Sequence, residues 1–129
     1  MRVYISGPMT GLPNNNRAAF DAAARRLSVV GHFVINPHDL TPIFGTAEVI
    51  EKAFKEYYLS RAEHWSEFEK RNSPAVRLAE SVMDADLAAV RSCDAIYLLR
   101  GWESSRGAKK ELSEAIAHGL TVMQEGGEE

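Results

Sequence analysis

The chain has 129 residues, 45% of them hydrophobic and 26% charged, which is enough for one soluble globular domain with a real core and too few for two. A formal net charge of -3 argues against a nucleic-acid polyanion as main partner, because such partners call for a basic face. Cys93 is the only cysteine, so no intrachain disulfide can form, and no run reaches the length of a membrane span. A cytoplasmic protein with no membrane partner is expected, in a cell or a virus-infected cell.

In chain order, Arg2 to Ser6 alternates β-branched and aromatic residues and stops at Gly7-Pro8, the pattern of a central strand that delivers a loop at its C-terminal end. Asn14-Asn15-Asn16 is read as a helix cap. Arg17 to Val30 then carries Ala18, Phe20, Ala23, Ala24 and Leu27 at helical spacing, closed by Gly31. Phe33-Val34-Ile35 is the second strand and ends at Asn36-Pro37, which gives a strand–helix–strand unit with a right-handed parallel crossover. Thr46 to Arg71 reads as one charged helix with a broken apolar face. A second helix, from about Ala75 to Ser92, has Val76, Ala79, Val82, Met83, Leu87 and Val90 on one side. A strand follows at Asp94 to Leu99, then a Gly/Ser-rich loop, a helix through Leu112, Ala115 and Ile116, and a last strand at Leu120 to Met123. The acidic tail from Gln124 to Glu129 is read as frayed.

Alternating strands and helices predict a small doubly wound α/β domain, a parallel sheet of about four to five strands flanked by helices. In such sheets ligands sit beyond the C-terminal strand ends. Here those ends are Ser6-Gly7-Pro8, Asn36-Pro37 and the run Gly101 to Gly107, all rich in small or turn-forming residues.

The last of these loops opens into the helix that bears Glu111. Free backbone N–H groups at that helix start, with the Ser105 hydroxyl, suit an anion, and a carboxylate one to two turns further in suits a nucleophile or base beside a phosphate or sugar. Asp86 sits on the apolar face of its helix, where an acid is costly unless paired or used. Together Asp86 and Glu111 offer the two carboxyls that sugar transfer through an oxocarbenium-like state needs. Otherwise Asp86 is a helix acid held by Arg91 or by a base elsewhere in the fold. The loop Ser6-Gly7-Pro8-Met9-Thr10-Gly11 allows close backbone approach, or is a tight turn. It matches neither the phosphate loop nor the dinucleotide fingerprint, so no such cofactor is expected. Trp102 can stack on a base or cover the sheet edge. Trp65, Tyr57 and Tyr58 read as packing or subunit-interface residues. Asp84 is assigned to solvent, Asp94 to a cap or turn, Cys93 to a buried inert thiol, and Lys109 and Lys110 to solvated surface. The four histidines lack metal-ligand spacing, so no metal is expected.

Several of these segments carry a family resemblance: Tyr4-Ile5-Ser6-Gly7-Pro8-Met9-Thr10-Gly11, Asn36-Pro37, Asp86-Leu87 with Asp94, and Gly101 through Ala108 with Glu111. The chain resembles the DUF4406 family, small proteins frequent in phages and prophages, and more distantly the nucleoside 2-deoxyribosyltransferases and deoxynucleoside 5′-monophosphate N-glycosidases. The likeness covers both ends of a single 1–129 domain but residues 43–75 poorly, and these read as a helical insertion. It implies that Glu111 attacks the anomeric carbon, that Asp86 holds the sugar or handles the leaving base, and that Ser105 contacts a 5′-phosphate with Gly107 as the close-approach glycine. It further implies that Tyr4, Ser6 and Gly7 line the pocket. Pro8, Met9, Asn36, Pro37 and Trp102 complete the expected binding set. Lys109-Lys110 before Glu111 departs from the enzymes' pattern, and an ammonium there either pairs with the acid or attracts an anionic substrate.

The expected activity is therefore cleavage or transfer of the N-glycosidic bond of a nucleoside or nucleotide, without cofactor. The alternatives are a non-catalytic pocket that sequesters a nucleotide-derived ligand, and an interaction module using the Trp65 helix. A homo-oligomer is expected from the surplus of aromatic surface on the middle helices.

Overall fold

Four parallel strands form the centre of the protein, as described by a computed structural model for residues 1–127. They are β1 (Arg2–Ser6), β2 (Phe33–Ile35), β3 (Ala95–Leu98) and β4 (Thr121–Gln124), in the order β2-β1-β3-β4. Tyr4 lies beside Ile35 on one flank and Ile96 on the other, and Ser6 beside Leu98. The helices are α1 (Arg17–Val29), α2 (Pro37–Leu40), α3 (Ala47–Ala62), α4 (Glu67–Arg71), α5 (Pro74–Arg91) and α6 (Arg106–Ala117).

The period-two alternation of β1 and β3 divides the core into two layers. Val3, Ile5, Ala95, Tyr97 and Leu99 face α1 and pack on Phe20, Ala23 and Leu27. Tyr4, Ile96 and Leu98 face the opposite side, where Val90 of α5 and Ala115 of α6 meet them. Helices therefore cover both faces, the doubly wound α/β arrangement that the strand–helix alternation predicts. A third apolar cluster, Ala53 and Tyr57 of α3 with Val76 and Ala79 of α5, ties the middle segment to the outer side of α5. Because α1 leaves β1 toward one face and α6 leaves β3 toward the other, the loops after β1 and β3 diverge. That divergence opens a crevice at the C-terminal strand ends, the place where open α/β sheets bind ligands.

The single helix expected over Thr46 to Arg71 is two helices. α3 ends at Ala62, His64 takes a left-handed φ of 53°, and α4 starts after Ser66. Ser66 and Glu69 form a reciprocal capping box, which satisfies the first amides of a new helix and so stops the old one from running through. The three asparagines do not cap α1 with their side chains. Asn14, Asn15 and Asn16 all adopt left-handed backbone angles, and Asn16 Nδ2 instead donates to the Pro8 carbonyl at 2.9 Å, bracing the loop after β1. The tail begins later than expected. Gln124 belongs to β4, and Glu125 donates its N–H to the Leu98 carbonyl and accepts from Arg26 and the Arg100 amide. Of the residues read as frayed, 128 and 129 lie outside those described. No helix among the described residues is long and apolar enough to cross a membrane.

Candidate active site

A cleft of about 410 Å³ opens at the diverging strand ends. The loop after β1 supplies Gly7, Pro8, Met9 and Thr10 to its wall, and the loop after β3 supplies Ser104 to Gly107. α5 contributes Asp86, α6 contributes Lys110 and Glu111, and α3 adds Ile50, Phe54 and Tyr58.

Glu111 is fixed from behind. Tyr4 and Ser6 sit two residues apart in β1, so their side chains share the face turned toward α6, and both are fully buried. The Tyr4 hydroxyl donates to Glu111 Oε2 at 2.7 Å and the Ser6 hydroxyl to Oε1 at 2.6 Å. Burial, followed by the charges of Glu111 and Asp86, holds the Tyr4 phenol well above its ordinary range, so it remains a donor. Burial also pushes Glu111 up to about 7, against the opposing pull of the hydrogen bonds from Ser6 and Tyr4.

Asp86 faces the same cleft without such help. Its Oδ1 is buried and has no hydrogen-bond partner among the described residues. Burial, and then the charge of Glu111, raises it to about 8. Two carboxyls thus share one cavity in unequal surroundings, one gripped by two hydroxyls and one ungripped, which is the pattern that separates an acid from a nucleophile or base.

The start of α6 meets the same cleft. Ser105 caps the helix by accepting from the Ala108 amide at 3.1 Å, and its carbonyl accepts from Lys109. The Arg106 and Gly107 amides are left without partners among the described residues, and the helix dipole favours an anion there. The Arg106 guanidinium lies 4.7 Å from the centre of the Tyr58 ring and so links α6 to α3 across the cleft rim. Lys109 and Lys110 are exposed, and no ion pair joins either to Glu111 among the described residues.

Three of the remaining expected site residues, Asn36, Pro37 and Trp102, lie outside the cleft lining. Asn36 and Pro37 are buried outside the cleft lining: Asn36 accepts from the His38 amide to start α2 and donates to Asp21 at 2.9 Å. Trp102 is also off the lining and packs on the cluster that contains Tyr4 and Ile96. Gly7 lines the cleft, but sheet packing already demands glycine there, since a Cβ would meet Leu99 Cβ at 2.7 Å. Asp84 is exposed, Asp94 Oδ2 accepts from the Arg2 amide at 2.8 Å, and Cys93 is buried with its thiol raised by that burial. The sequence reads Tyr58 as a packing or subunit-interface residue and Phe54 as part of the apolar face of its helix, yet both line the cleft. The signal that they reach the cleft was their i, i+4 spacing with Ile50, which lines one helix face. No group of described histidine, cysteine, aspartate and glutamate side chains could hold a metal ion.

These features define a small parallel α/β domain with a carboxyl-lined cleft at its topological switch point. The chain belongs to the DUF4406 family, described as a domain of unknown function, whose model matches residues 1–124 and so spans the helical segment 43–75 as well. No curated protein matches it.

Proposed function

We propose that the protein cleaves or transfers the N-glycosidic bond of a (deoxy)nucleoside or its 5′-monophosphate, with Glu111 as nucleophile. The observation that carries this reading is the pair of unlike carboxyls on one cleft, Glu111 anchored by hydroxyls and Asp86 with a buried Oδ1 that has no partner among the described residues. The cleft volume falls in the range of small-molecule sites.

In the first step a Glu111 oxygen bonds to C1′ as the C1′–N bond breaks. The departing base takes the proton of the Asp86 carboxylic acid. The resulting Asp86 carboxylate then accepts a proton from water, whose oxygen bonds to C1′ and releases Glu111. A second base in place of water turns hydrolysis into transfer. Phe54 and Tyr58 offer an apolar wall for a planar base, and the Arg106 and Gly107 amides, without partners among the described residues, suit a 5′-phosphate or 5′-hydroxyl. A homo-oligomer forms part of this reading, supported by the exposed Val29, Val30 and Phe33 near one sheet edge.

Incubation with each deoxynucleoside and its monophosphate, followed by chromatography of free base, tests the proposal. Wild type is expected to release base and Glu111→Gln to lose at least about a thousandfold of that rate. Undiminished release by Glu111→Gln excludes the mechanism. A second reading, a pocket that holds a nucleotide-derived ligand intact, is favoured by the engagement of both Glu111 oxygens, which tempers a nucleophile. Tight binding by Glu111→Gln with no turnover by wild type would select it.

A further inference from the structure

Ser6 does not line the cleft. It is fully buried at the end of β1, directly behind Glu111, where no ligand can touch it. Its hydroxyl is the shorter of the two bonds that Glu111 receives, 2.6 Å against 2.7 Å from Tyr4. Each donor takes a different carboxylate oxygen, so the plane of the carboxylate is fixed and its remaining lone pairs face the cavity. Asp86, whose Oδ1 has no donor among the described residues, has no comparable grip there.

Resting on the glycosyl-transfer reading, we propose that Ser6 is a positioning residue: its hydroxyl aims the Glu111 carboxylate into the cleft and makes Glu111, rather than Asp86, the anionic member of the pair. Apolar groups lie near Glu111, with Ala115 on its own helix and Val82 and Leu87 of α5 lining the cavity. In such a place an acid without donors keeps its proton, and both carboxyls of the cleft would then be neutral acids with no nucleophile between them. The groups that face Glu111 from the elements packed on it are Tyr4 and Ser6 of β1, Asp86 of α5 and Tyr58 of α3, with Arg106 and Lys110 of its own helix lining the same cavity. Neither cation forms an ion pair with Glu111 among the described residues, so the two hydroxyls are what favours the charge. Ser6 is also the smaller and more substitutable of the two, since its removal leaves the Tyr4 ring in the core.

The test is a carbon-13 NMR titration of the Glu111 carboxyl, assigned with Glu111→Gln, in wild type, Ser6→Ala and Ser6→Thr. Losing one charge-assisted hydrogen bond is expected to move the Glu111 midpoint upward by about one pH unit or more in Ser6→Ala. Ser6→Thr, which keeps the hydroxyl, is expected to restore it. In the base-release assay the lower limb of the pH–kcat profile should shift by the same amount, with KM changed less than twofold. An unmoved midpoint in Ser6→Ala overturns the proposal, as does an equal shift in Ser6→Thr. Absence of base release by wild type would defeat the glycosyl-transfer reading alone, because the titration still decides what Ser6 does to Glu111.

Discussion

Replacing Asp86 by Asn should stabilise the protein, and the gain should depend on pH. Asp86 is raised to about 8 by burial and by the charge of Glu111, while in the unfolded chain it titrates near its ordinary value of 3.8. The folded state therefore keeps a proton that the unfolded chain has released, so stability is full below about pH 4 and falls as pH rises toward about 8. At pH 7 the protonation states differ by about three pH units, at about 1.4 kcal/mol each, which sets an upper bound of about 4 kcal/mol. Residual water access at this partly exposed residue lowers the expected cost to about 2–4 kcal/mol. An amide carries no charge to desolvate, and it sacrifices no bond at Oδ1, which has no partner to lose. Asp86→Asn should thus match wild type near pH 4 and melt at least about 8 °C higher at pH 7. Calorimetry or urea unfolding of both proteins across that range measures it. Parallel stability curves for the two proteins between pH 4 and 8 would refute the reasoning, because they would mean that Asp86 ionises as freely folded as unfolded.

Base release should follow a narrow bell in pH, rising as Glu111 ionises near about 7 and falling as Asp86 loses its proton near about 8. A profile flat from about pH 5 to 10 would remove both residues from the chemistry. Gly7→Ala should cost about 1–3 kcal/mol in urea unfolding, since its Cβ would sit 2.7 Å from Leu99 Cβ in the sheet core; a neutral substitution would show that the loop yields at no cost.

The sheet was legible because β1 and β3 are short runs rich in β-branched and aromatic residues and both end in turn-forming loops. The position of Glu111 followed from the same logic, since a helix that leaves a central strand must begin at the crevice. Less was legible where two physical signals compete. Residues 46 to 71 keep helix-forming composition throughout, which hid the break at His64, although Ser66 and Glu69 carried the spacing of a capping box. The family resemblance implies that Tyr4 and Ser6 line the pocket, whereas both are buried behind Glu111. Their shared strand face, which turns them to α6 instead, depends on which side that helix packs, and no local pattern states it. The left-handed run at Asn14 to Asn16 is likewise set by the bond from Asn16 to the Pro8 carbonyl and not by local preference alone.

Glu111 receives its two hydroxyl bonds from residues 107 and 105 positions earlier in the chain. A growing polypeptide displays the β1 hydroxyls long before the acid exists, and the acid, once made, dangles in water until its helix docks. The anchored carboxyl is thus a late product of folding: a chain interrupted anywhere before that docking step carries every atom of the first strand and no acid held behind the cleft.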